Sequence, residues 1–132
     1  MATPKPFVHV HDLNSSSTSG LRQSNIRYSA TLTSGGGDTT LTVPSSKAAG
    51  LINSYSVNKW VAKIVTEQGS TVWFAVGATA AVPVGATFAS VSSELIPPEQ
   101  ECFREVDAGD VLHFITADAT ADVSVTFYSL QN

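Results

Sequence analysis

Ile26-Arg27-Tyr28-Ser29-Ala30-Thr31-Leu32-Thr33 alternates apolar side chains at the even positions with polar or charged ones at the odd positions. A period of two places successive side chains on opposite faces of an extended strand, one face for a core and one for water. Gly35-Gly36-Gly37-Asp38 follows, a reversal whose glycines tolerate positive φ, and Thr40-Leu41-Thr42-Val43 resumes the extended pattern. The reading here is a β-hairpin. Pro44 and Ser45-Ser46-Lys47-Ala48-Ala49-Gly50 then break the pattern, leaving room for at most a short helical turn between Ser45 and Asn53.

The same grammar recurs outward from this stretch. Val57 to Thr66, a turn at Glu67-Gln68-Gly69-Ser70 and Thr71 to Val76 predict a second hairpin. A small-residue loop from Gly77 to Gly85 precedes an expected strand from Ala86 to Val91, before Pro97-Pro98 interrupts the chain. Cys102 to Val106, Val111 to Thr116 and Val123 to Tyr128, separated by turns at Asp107 to Asp110 and Ala117 to Asp122, predict two further hairpins. With Phe7 to His11 these runs amount to about nine short strands and no βαβ unit, the pattern of an all-β antiparallel sandwich or barrel. Ile64-Val65-Thr66 with Val72 and Phe114-Ile115-Thr116 with Val123 form an internal echo too weak to mark a duplication.

Asp12 to Asn25 is a polar tract containing Asn14-Ser15-Ser16-Ser17-Thr18-Ser19-Gly20. It divides the chain into an N-terminal arm with a Ser-rich linker, residues 1–25, and a sandwich domain, residues 26–132. Pro4 and Pro6 keep the tip of the arm extended, and an extended strand can add itself to the edge of another subunit's sheet. The competing expectation is that residues 7 to 11 pair within their own domain.

At 132 residues the chain is long enough to bury one core without metals or disulfides. Charged residues make up only 14%, below the usual quarter, so either neighbours cover part of the exterior or Ser and Thr do the solvating. The net charge of −4 argues against nucleic acid as a partner. Its distribution is uneven, with six Lys and Arg against two Asp up to residue 63, then one Arg against nine acids. Cys102 is the only cysteine and is flanked by Glu101 and Glu105, which disfavour a thiolate; a buried structural thiol in a reducing compartment is expected. No secretory h-region and no membrane-length apolar run occurs, so neither export by such a signal nor a membrane partner is expected.

Candidate chemistry is sparse. His9 and His11 share one face of a strand and could offer two metal ligands, but a third is missing and His113 is far along the chain, so surface histidines are expected and no metal. The acidic turns at Asp107 and Asp110, and at Asp118 and Asp122, fit no calcium-loop spacing. Glu99 and Glu101 could share a strand face as glycosidase carboxylates do, although beside Pro97-Pro98 a solvated loop is the plainer reading. No nucleophile elbow, phosphate-binding loop or His-Glu-x-x-His pair occurs; no catalytic residue, cofactor or enzyme activity is expected. Trp60 and Trp73, with Tyr28, Tyr55 or Tyr128, could instead form a sugar-stacking platform or anchor a protein interface.

Trp73-Phe74-Ala75-Val76-Gly77, the loop ending Val84-Gly85-Ala86-Thr87, Ile96-Pro97-Pro98, the turn Val106-Asp107-Ala108-Gly109-Asp110-Val111-Leu112-His113 and the last Val-x-Val-Thr strand resemble the small β-sandwich structural proteins of tailed bacteriophages, of the head decoration or cement type. The likeness covers roughly residues 57–130 and consists of turn and strand chemistry. It implies a jelly-roll-like sandwich located on the virion, at the capsid surface, after assembly in the host cytoplasm. It also implies the major capsid protein as partner, self-association as a homodimer or homotrimer, and a function in stabilising contacts between neighbouring capsomers. Pro4, Lys5, Pro6, Phe7 and Val8 are the expected capsid or subunit contact. Alternatives are a carbohydrate-binding module, another head or tail component such as a fibre base and, more remotely, a small hydrolase.

Overall fold

The computed structural model describes residues 8–11, 17–20, 24, 26–45, 59–83 and 93–129. Ten strands and no helix occur among them: β1 (Val8–His11), β2 (Ser17–Gly20), β3 (Arg27–Thr33), β4 (Thr39–Thr42), β5 (Lys59–Thr66), β6 (Val72–Val76), β7 (Glu94–Ile96), β8 (Cys102–Asp107), β9 (Val111–Thr116) and β10 (Thr120–Ser129). Eight of them form two four-stranded antiparallel sheets, in the orders β3-β10-β5-β8 and β4-β9-β6-β7, and β1 with β2 forms a two-stranded sheet of its own. The all-β sandwich expected from the period-two pattern is therefore the fold.

The wiring differs from the expected hairpins. β3 pairs with β10 and not with β4, β5 pairs with β10 and β8 and not with β6, and β9 pairs with β4 and β6 and not with β8 or β10. Each tight turn carries the chain from one sheet to the other. The physical reason is that strand alternation says which side chains face the core, and a hairpin and an arch between two packed sheets satisfy it equally. Two strands went unforeseen: β2 lies in the Ser-rich tract, and β7 has three residues, too few to show a period. The expected strand from Ala86 to Val91 and the helical turn after Ser45 lie outside the described residues.

Alternate residues of the two central strands of each sheet supply the core. Trp60, Ala62 and Ile64 of β5 and Val123, Val125 and Phe127 of β10 meet Val72 and Phe74 of β6 and Leu112 and Phe114 of β9, all at most 3% exposed. Burying side chains of this size contributes about 1.5–3 kcal/mol each. Trp60 and Phe127 pack edge to face at 6.2 Å, and Phe74 lies against Phe114 at 5.3 Å. Gly69 (φ 74°) and Gly109 (φ 90°) turn the β5–β6 and β8–β9 arches through the left-handed region that glycine enters without strain.

Ser24 fixes the entry into the sandwich. Fully buried, it donates from Oγ to the Phe127 carbonyl at 2.8 Å and accepts from the Ile26 N–H at 3.1 Å, while Phe127 N–H donates to the Ile26 carbonyl. Ser24 and Ile26 thus continue the line of β3 along β10.

Candidate functional site

Register and burial together assign each strand residue to a face, because directly paired residues point the same way. On the sheet β4-β9-β6-β7 the outward positions are Thr40 and Thr42 of β4, Val111, His113 and Ile115 of β9, Trp73 and Ala75 of β6, and Leu95 of β7. None of them is Lys, Arg, Asp or Glu. The outward face of β3-β10-β5-β8 has the opposite character, with Arg27, Asp122, Lys59, Lys63, Glu105 and Asp107. There Lys59 Nζ lies 2.9 Å from Glu105 and 3.4 Å from Asp107, and Lys63 Nζ lies 3.7 Å from Glu101. Glu105 first, then Asp107, holds the Lys59 ammonium above its ordinary pKa. The low overall charge is therefore not spread evenly: the outward-pointing charges of the sandwich strands gather on one face.

Part of the uncharged face is covered by the chain itself. Ala80 N–H donates to Asp38 Oδ1 at 3.0 Å and Ala81 N–H donates to Ser93 Oγ at 2.9 Å. Asp38 lies just before β4 and Ser93 just before β7, the two edges of this sheet, so residues 77–83 cross one end of the face, and Ala75 is only 3% exposed. Asp38 Oδ2 also meets His113 Nδ1 at 2.6 Å, which fixes the imidazole at that end. Beyond the loop, Ile115, Trp73 and Leu95 stand side by side on β9, β6 and β7. Leu95 is 45% exposed and the other two are half-buried, making a short apolar row with an aromatic at its centre. Such a row is the composition of an interface core.

The other candidates separate. Trp60 is fully buried in the core, packed on Phe127, so it cannot meet a glycan or a partner; a tryptophan in a strand signals a large buried anchor as readily as an exposed one. Tyr128 is also buried, Tyr28 stands on the other sheet against Phe127, and Tyr55 lies outside the described residues, so the aromatics form no common platform with Trp73. Glu99 occupies an exposed turn with φ 62° and Glu101 faces Lys63, so the two carboxylates do not flank a cleft. Asp110 accepts from the Asp107 N–H, Asp118 accepts from the Thr71 N–H and Asp122 accepts from the Thr31 hydroxyl, which is turn and strand capping chemistry.

No group of three metal-ligating side chains gathers among the described residues. A shallow depression of about 440 Å³ on the charged face, bordered by Ser29, Thr31, Val65, Glu67, Asp122 and Ser124, has its carboxylates engaged by Thr31 and the Asp122 N–H. Cys102 is buried, and burial above all raises its thiol pKa, with the Arg104 guanidinium opposing and Glu94 reinforcing the shift. Of the arm, Val8 begins β1, while Pro4, Lys5, Pro6 and Phe7 lie outside the described residues. Ile115 and Leu95 were not singled out in the sequence; the cross-strand register that aligns them with Trp73 is a long-range property. No family model, curated protein or solved structure matches the chain.

Proposed function

We propose that this chain is a virion structural protein, a capsid decoration or cement protein that binds the outer capsid and stabilises contacts between neighbouring capsomers. The observation that carries the reading is the segregation of charge, an uncharged sheet face with Ile115, Trp73 and Leu95 in a row opposite a charged face turned to water. A weakly charged face with an aromatic anchor suits contact with protein, whereas a catalyst needs converging reactive groups. The sheet orders β3-β10-β5-β8 and β4-β9-β6-β7 support a jelly-roll reading, a fold used in capsids and lectins, and through it the same function by analogy. Many weak copies of one contact on a symmetrical shell add up through effective concentration, and binding only the assembled shell stabilises it by mass action. The arm from Pro4 to Val8 is the second contact in this reading.

Sedimentation of the purified chain with preassembled capsids tests it. Wild type is expected to pellet with the capsids. Trp73→Ala is expected to weaken attachment by about tenfold or more, the cost of truncating a central aromatic anchor. Removal of residues 1–12 is expected to weaken it as well. No pelleting at any concentration overturns the proposal. Glycan binding that disappears in Trp73→Ala would favour a carbohydrate-binding module instead.

A further inference from the structure

We infer that the free edge of β3 receives the β1–β2 hairpin of a second copy of this chain, and that two copies exchange hairpins reciprocally. This specifies the subunit contact in the reading above, and its experiment needs no capsid, so each can fail alone.

A strand at a sheet edge presents unpaired backbone groups, and folded proteins protect such edges with short length, proline or charge. Three of the four edges of this sandwich are protected in those ways. β4 has four residues and is followed closely by Pro44, β7 has three and runs into Pro97-Pro98, and β8 carries Arg104, Glu105 and Asp107. β3 is protected far less. It spans seven residues, contains no proline and no acid, and carries one charge, at its first position. No described strand pairs with its outer edge: Tyr28 is 41% exposed although its partner Val125 is buried in the core, and Arg27, Ser29, Thr31 and Thr33 are exposed too.

The same chain holds a hairpin in want of a neighbour. β1 and β2 pair from Val8 with Gly20 to His11 with Ser17, and no other described strand joins their sheet. A two-stranded hairpin is marginal in water, and a third strand stabilises it. Neither β1 nor β2 contains Lys, Arg, Asp or Glu, so their approach to β3 meets no like charge despite the net charge of −4. Within one chain β2 pairs with β1 and not with β3, and Ser24 and Ile26 hold the entry to β3 in line along β10. Exchange between two copies fills both vacant edges and both hairpins, and its two-fold symmetry closes the assembly.

Full-length chain at rising concentration, in an equal mixture of two isotope labels, tests this by sedimentation and intermolecular NMR contacts. The expected species has twice the 13.8 kDa chain mass, with intermolecular contacts between β1 or β2 of one copy and β3 of the other. Ser29→Lys in the full chain, an exposed edge lysine, is expected to raise the dimer dissociation constant by about tenfold or more. A chain that stays monomeric to about 1 mM, the weak end of measurable association, overturns the inference. So does a dimer whose intermolecular contacts leave β3 untouched, or one indifferent to Ser29→Lys.

Discussion

Arg104 on β8 holds Glu94 on β7 in a two-pronged contact, its Nε and Nη2 each 2.6 Å from one carboxylate oxygen. The two strands are the edges of different sheets, and each side chain leaves its strand on the inward side, opposite Ala62 and Phe74. The pair therefore bridges the sandwich where its two sheets end together. Parallel N–H···O bonds of this kind need the planar fork of arginine. Both side chains are 43% exposed, so water screens the attraction. Arg104→Ala or Glu94→Gln is expected to cost about 0.5–1 kcal/mol in chemical denaturation, with a double-mutant cycle giving coupling of the same order. Coupling indistinguishable from zero would show that the bridge contributes nothing to closure.

Thr66 offers a gain. The residue is 3% exposed at the end of β5, and its hydroxyl has no hydrogen-bond partner among the described residues. A buried hydroxyl left without a partner loses its hydration and gains nothing in return. Thr66→Val keeps the branched shape that a strand favours and replaces the hydroxyl with a methyl. Stability is expected to rise by about 1 kcal/mol, read as an increased midpoint in urea with an unchanged slope. A loss of stability would mean that the hydroxyl is in use.

Glu99 stores backbone strain. It follows Pro97-Pro98 with φ 62°, and the Gln100 N–H reaches back to the Pro97 carbonyl at 3.4 Å. That is a tight turn whose third position calls for positive φ, which a side chain makes costly and glycine does not. Glu99→Gly is expected to stabilise by about 0.5–1 kcal/mol, the relief of strain being partly offset by a freer unfolded chain. Glu99→Val, β-branched at the same φ, is expected to destabilise, and equal melting temperatures for the two variants would remove strain from the account.

How far the sequence reached can be traced through the same residues. Alternation from Ile26 to Thr33 identified β3 and its core face, and the turns at Gly69 and Gly109 marked where strands end, because both signals are local. The pairing of β3 with β10 joins residues about ninety positions apart, and nothing in either segment names the other. For that reason the turns were expected to close hairpins when they in fact cross between sheets. The uncharged face was hidden for the same reason. Trp60 and Trp73 look alike in sequence, each followed by a β-former, and only the packing turns one into the core and sets the other outward between Ile115 and Leu95. The separation of charge onto one face is likewise invisible along the chain, where Lys59, Lys63, Glu105 and Asp107 lie in distant segments and meet only through the β5–β8 register.

Cys102 ties core packing to pH. Its thiol is 5% exposed behind β8, and burial first, with Glu94 adding, raises its pKa above the ordinary 9.0 against the pull of the Arg104 guanidinium. In the unfolded chain the thiol ionises near its ordinary value, while the folded chain still holds the proton. Between those two values the folded state binds more protons than the unfolded one, so stability falls as pH rises. The contribution of the neutral thiol is complete below pH 9.0 and lost as pH climbs through the raised folded value. Two measurements check this. Thiol labelling at pH 8 is expected to be limited by opening of the fold, becoming fast only in denaturant. Cys102→Val, of similar size and without a titrating group, is expected to lose less stability than wild type between pH 8 and pH 11. Parallel stability curves for the two proteins across that range would mean that the thiol ionises as freely in the fold as in water.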